Sequence, residues 1–154
     1  LQMGAPDADD ASLWEALRAA QAEDFVRRKP GGLDEPVSAG GKNFSGGQRQ
    51  RLTIARALAA KPDILILDDS ASALDFATDA ALRRALRELP FAPAVVIVSQ
   101  RASSLMHADT IVVLDDGSVA GKGTHEELLK TCPVYEEIYQ SQFKTAKERG
   151  GEAK

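Results

Sequence analysis

Asn43-Phe44-Ser45-Gly46-Gly47-Gln48-Arg49-Gln50-Arg51-Leu52 is followed, one helix further on, by Ile64-Leu65-Ile66-Leu67-Asp68-Asp69. These two stretches decide the fold. Ser45 and Gln48 have the spacing of a capping box, which predicts a helix from there to about Ala60, stopping short of Pro62. The start of a helix offers unpaired N–H groups and a partial positive charge. Gly46 and Gly47 let an anion come close to that backbone, and Ser45 and Gln48 add side-chain donors. The turn therefore suits a phosphate. Ile64 to Leu67 is a continuous apolar run, the pattern of a buried parallel strand. Ligands of open α/β sheets gather at the carboxyl ends of strands, so Asp68 stands where a carboxylate can hold Mg²⁺ directly or through water.

Working outward, Asp10 is the expected cap of a helix over about 11–22 that carries Leu13, Leu17 and Ala20 on one stripe. A short helical stretch through Arg28 ends at Lys29-Pro30-Gly31-Gly32, and residues 30–44 read as an irregular loop. Asp75 caps a helix with Leu82, Leu86 and Leu89 on its stripe, which Pro90 ends. Ala94 to Ser99 reads as a second buried strand, then a short helix over Ala102–Met106 and a strand over Thr110–Leu114. Asp116-Gly117 is a hairpin turn into Ser118–Ala120. Thr124 and Glu127 form a second capping box opening a helix to about Lys130, and a last helix starts near Val134. Alternation of strands and helices after residue 60 predicts an α/β layer with a parallel sheet. The expected division is an all-helical part over 1–58 and an α/β part over 59–154.

The 154 residues suffice for one domain with a real core, and 44% apolar with 27% charged residues is the balance of a globular protein. A net charge of −4 gives no support to nucleic-acid binding. Arg49, Arg51 and Arg56 read as a solvated helix face. Cys132 stands alone, so no disulfide forms within the chain. Ala94 to Val98, the longest aliphatic run, is far too short for a membrane span, and residues 1–20 lack the pattern of a signal peptide. A chain opening on Leu1 without Met reads as a piece of something longer, with any membrane part elsewhere. His107 and His125 have no second ligand at metal spacing. Gly121-Lys122-Gly123-Thr124 imitates a phosphate loop, but Gly follows the Lys and the loop's first glycine is missing.

The combination resembles the C-terminal half of an ABC exporter nucleotide-binding domain, over nearly the whole chain. Phe44 to Gln48 resembles the family signature, Ile64–Asp68 the Walker B strand, and Ser72-Ala73-Leu74-Asp75 the D-loop. Val95 to Arg101 resembles the strand leading to the switch residue. Leu114 to Gly117 and Gly123 to Leu128 resemble the exporter-type C-terminal segment, and Val37 to Gly41 stands where exporters have an X-loop. The resemblance implies a partial P-loop NTPase (RecA-like) parallel sheet with helices plus an α-helical subdomain, with the phosphate loop absent. Gln2 comes too late to be the Q-loop glutamine. Ser45, Gly46, Gly47, Gln48 and Asp75 would contact ATP, and Asp68 its Mg²⁺. Two such domains sandwich two ATP molecules, each site using Walker motifs from one chain and the signature of the other.

Two positions depart from the family pattern. The catalytic Glu after the Walker B aspartate is Asp69, one methylene shorter, and the switch His is Gln100, which can hydrogen-bond but cannot shuttle a proton. Together they resemble the degenerate half of a heterodimeric exporter. Ala39 replaces the X-loop acid. The implied partners are a transmembrane domain, on the same or a partner chain, and a second ABC nucleotide-binding domain, at the cytoplasmic face of a cell membrane, with no nucleic acid. An ATPase half of an exporter, a nucleotide-gated structural module that does little chemistry, and a soluble ABC ATPase of DNA maintenance all fit the motifs. The last would carry long coiled-coil insertions, and the chain shows no heptad run.

Overall fold

The structure is a computed structural model that describes residues 1–70 and 72–151, with side chains other than that of residue 71 described through Phe143. It has α1 (Asp10–Ala19), α2 (Glu23–Arg27), α3 (Gly46–Ala59), β1 (Ile64–Asp68), α4 (Phe76–Arg87), β2 (Ala94–Val98), β3 (Ile111–Asp115), β4 (Ser118–Gly123), α5 (His125–Thr131) and α6 (Pro133–Gly151). This is an α/β fold. β1 and β2 pair in parallel from Ile64 opposite Ala94 to Asp68 opposite Val98, joined by a crossover through α4.

Local chemistry explains the ends of the elements. Asp9, not Asp10, caps α1, its Oδ1 accepting the Ser12 N–H at 2.9 Å, while Asp10 becomes the acidic first residue of the helix. Both positions favour aspartate, and a cap needs its carboxylate over the third helical N–H, which Asp9 reaches. α1 stops earlier than expected because Gln21 turns left-handed (φ 58°). Asp116 (φ 45°) and Gly117 (φ 74°) both take positive φ, which gives the β3–β4 hairpin its two-residue turn. β4 runs on to Gly123, so the Gly121–Thr124 stretch is strand and helix cap. A β-carbon at Gly121 would lie 2.8 Å from the Cys132 Sγ, so that glycine serves packing.

The chain forms two compact units, Leu1–Val98 and Ser99–Lys154. In the core of the first unit, Leu13 and Leu17 of α1 and Ile54, Ala55 and Leu58 of α3 share one cluster with Leu65 and Leu67 of β1 and Leu82 and Leu86 of α4. The second unit has its own core of Ile111, Val113, Leu128, Cys132 and Tyr135.

The strands are less buried than their composition predicts. Leu65 and Leu67 are buried, but Ile64 and Ile66 are 63% and 66% exposed, and Val96 and Val98 are 49% and 53% exposed. Within the chain, one sheet face packs on the helices and the other is left uncovered, so a run apolar on both faces buries only one of them.

Candidate nucleotide-binding site

α3 brings the signature-like turn to the site. Ser45 is its N-cap: Ser45 Oγ accepts the Gln48 N–H at 3.2 Å, and Gln48 Oε1 accepts the Ser45 N–H at 2.9 Å. The predicted capping box is complete. It consumes the third helical N–H and leaves those of Gly46 and Gly47 without an intrahelical partner. The two glycines do different work. A β-carbon on Gly46 would meet only the Ala73 Cβ at 3.9 Å, whereas one on Gly47 would lie 3.0 Å from the Ala73 carbonyl oxygen. Gly46 thus keeps the turn open, and Gly47 lets the helix rest on the loop after β1.

β1 ends on Asp68, and Asp69 follows in a left-handed conformation, φ 47°, which a β-carbon disfavours. Both are exposed. The Asp69 N–H donates to the Val98 carbonyl at 3.1 Å, continuing the sheet hydrogen bonds one residue past the strand. The Asp69 carbonyl accepts from Ser72 Oγ at 3.1 Å, Ser72 N at 3.3 Å and Gln50 Nε2 at 2.9 Å. Asp75 caps α4, its Oδ1 accepting the Thr78 N–H (2.9 Å) and its Oδ2 the Thr78 hydroxyl (2.8 Å). The Thr78 backbone N–H, then its hydroxyl, hold the Asp75 carboxyl below the usual aspartate range.

Gln100, the remaining expected position, belongs to the second unit and is exposed. Its carbonyl accepts from Gln142 Nε2 of α6 at 2.7 Å, and Gln142 Oε1 accepts the Ala102 N–H at 2.9 Å. Sequence reading missed both Gln50 and Gln142, because a glutamine inside a helix carries no local signal of a backbone partner far along the chain. It also misjudged Arg51. That side chain is half-buried, donates to the carbonyls of Gln21 (2.7 Å) and Gly47 (3.3 Å), and lies over the Phe25 ring, so this arginine ties α3 to α2 instead of facing solvent.

The residues present fit a nucleotide-borne Mg²⁺. No group of three or more His, Cys, Asp or Glu side chains clusters among the described residues. Mg²⁺ carried on a nucleotide needs only one or two carboxylates beside phosphate oxygens, and Asp68 offers one at the strand end.

A signature-like helix start and an acidic strand end, meeting on one loop, define a nucleotide-binding α/β domain. The ABC transporter family matches residues 6–72. An uncharacterised ABC transporter ATP-binding protein of Mycobacterium tuberculosis is 46% identical over 145 residues, covering 93% of this chain and 25% of that protein. A "Probable multidrug resistance ABC transporter ATP-binding/permease protein" of Bacillus subtilis is 43% identical over 148 residues, covering 96% and 25%. The structure of a bacterial Atm1-family ABC exporter with ATP bound superposes with a TM-score of 0.86 at 35% identity, over 92% of this chain and 25% of that one. The chain belongs to the ABC transporter family and is an ATP-binding domain of the exporter type. It spans about a quarter of the length of the relatives it matches.

Proposed function

We propose that this chain is the signature-bearing and Walker B-bearing part of an ABC exporter ATPase that drives transport by ATP-dependent pairing of two such domains. The observation that carries the reading is the seating of the signature turn on the D-loop, with Gly47 against the Ala73 carbonyl, while Asp68 and Asp69 project from the same loop's other end. Residues 1–58 act as the helical signature subdomain and 59–154 as the C-terminal part of the ATPase core. Asp68 would hold Mg²⁺, which supplies charge neutralisation at the phosphates. Ser45, Gly46, Gly47 and Gln48 would grip the ATP of a partner domain, and Asp75 would border it from the D-loop.

No helix among the described residues is long and apolar enough to cross a membrane. The likeness to ABC exporters supports a membrane-spanning partner on sequence or chains beyond this one, with the domain at the cytoplasmic face. The uncovered sheet face around Ile64 and Ile66 fits packing against the phosphate-loop half of the same domain.

We further propose that the chain's own site hydrolyses slowly and that its signature serves an active site completed by a different subunit. Asp69 sits one methylene short of the glutamate that polarises water, and a displacement of about 1 Å can cost on the order of 10²-fold in rate. Gln100 lacks a titrating ring. The test is Asp69→Glu with Gln100→His, in an assembled transporter whose partner site has been inactivated. ATP turnover should rise by roughly 10²-fold. No gain would sink the degenerate-site reading.

A further inference from the structure

Gln50 lies just past the first turn of α3, and its side chain crosses to the loop that follows β1. Its Nε2 donates to the Asp69 carbonyl at 2.9 Å and its Oε1 accepts the Ala73 N–H at 3.1 Å. Only one orientation of the amide satisfies both partners, so the donor and acceptor ends are fixed. The span held in this way starts at a left-handed residue, Asp69, and ends at Ala73, whose carbonyl oxygen a β-carbon on Gly47 would meet at 3.0 Å.

α3 does not need Gln50 in order to pack. Ile54, Ala55, Leu58 and Ala59 already bury its apolar face. Both Gln50 bonds are solvent-accessible, a setting in which a hydrogen bond adds little to net stability. What they contribute is geometry: the backbone of Asp69 and the start of the D-loop are fixed to the helix whose N-terminus is the signature.

We propose that Gln50 is a positioning residue for ATP hydrolysis. It joins the carboxylate of this chain's own site to the signature that the chain presents to its partner, so that the two sites shift together. This rests on the ABC exporter reading above. Gln50 touches no reacting atom in this scheme and acts through Asp69 and Ala73.

The test uses two variants in the assembled transporter. Gln50→Met keeps the length of the side chain and loses both bonds. Gln50→Glu keeps an acceptor for the Ala73 N–H but can donate to the Asp69 carbonyl only when protonated. With Gln50→Met, kcat should fall about 10- to 100-fold, the effect of a small misplacement. KM for ATP should stay near the wild-type value, because no nucleotide contact is removed. Gln50→Glu should match Gln50→Met at about pH 8 and regain turnover relative to wild type as the pH falls toward its carboxyl range, raised by the carbonyl it faces.

Wild-type kcat in Gln50→Met, a loss carried wholly by KM, or a Gln50→Glu defect equal at every pH would each overturn the proposal. If Gln50→Met does not assemble, Gln50→Glu across pH decides within one preparation. If neither assembles, Gln50 is a folding residue and the proposal fails. An unaltered transporter with no ATP turnover at all would instead break the exporter reading beneath it.

Discussion

Two loops of this protein are held in the same way by glutamines, yet in different surroundings. In the first unit, Gln50 takes the carbonyl of Asp69 and the N–H of Ala73. In the second, Gln142 takes the carbonyl of Gln100 and the N–H of Ala102. The first loop has further restraints: two bonds from Ser72 to the same carbonyl, a sheet-like bond from Asp69 to Val98, and the close seat of Gly47. The second has the Ser99 hydroxyl on the Arg101 N–H at 3.0 Å and one tight turn from Ala102 to Ser104. The two latches are alike in chemistry, so what each one holds differs by its setting: the first ties a strand end to a helix start, the second ties a short 3-10 turn to a late helix.

The sharpest way to break this comparison is at the two adjacent glycines. Gly47→Ala puts a β-carbon 3.0 Å from the Ala73 carbonyl, so the D-loop must give way, and transporter ATPase should fall by about 10²-fold if the displacement approaches 1 Å. Gly46→Ala meets only an ordinary contact at 3.9 Å and should leave the loop where it is. Crystal structures of the two variants, read beside their turnover, check both statements. Equal shifts of Ala73 would show that the seat is not specific to Gly47.

Gln142→Met sharpens the second half. Without the Gln142 amide, the segment at Gln100 should exchange its amide hydrogens about 10-fold faster or more, a loss of roughly 1.4 kcal/mol in local protection or above. Hydrogen exchange of residues 100–102 reads this directly. Protection unchanged there would mean that the Ser99 bond and the turn suffice.

Smaller effects are expected at the caps. Ser45→Ala removes the acceptor for the Gln48 N–H and should cost about 1 kcal/mol in thermal or denaturant unfolding. Asp75 gives a pH signature. Its folded pKa is depressed by the Thr78 N–H, so its contribution is fully present above the unfolded aspartate pKa and is lost as pH falls through the folded value. Asp75→Asn keeps an acceptor without the proton and should flatten this acid-side loss of stability, which melting curves at falling pH measure. An unchanged acid-side slope would refute the assignment.

These comparisons also mark what the sequence could yield. Both capping boxes and the Asp116-Gly117 turn could be read at once, because each is set by side chains within a few residues of the backbone they serve. The parallel pairing of β1 and β2 followed from two apolar runs separated by a helix. What escaped were relations over distance. Gln50 finds its partners 19 and 23 residues away and Gln142 finds its own 42 and 40 away, and in a helix each reads only as a good helix former. The left-handed Asp69 was hidden too, since nothing in Leu-Asp-Asp-Ser demands positive φ. Strand burial was overestimated because composition states what a face could cover, not whether a layer is present to cover it.

The placement of the two glutamines also sets an order of events on the ribosome. Gln50 is made before the loop it holds, so Asp69 and Ala73 emerge toward a helix already synthesised, and the latch can close within seconds at about 5–20 residues per second. Gln142 is made 42 residues after Gln100, so the segment at Gln100 is synthesised with its holder still unmade. During translation, then, the segment around Gln100 is the later of the two to be fastened, and a stall before α6 would release a nascent chain with one latch closed and the other absent.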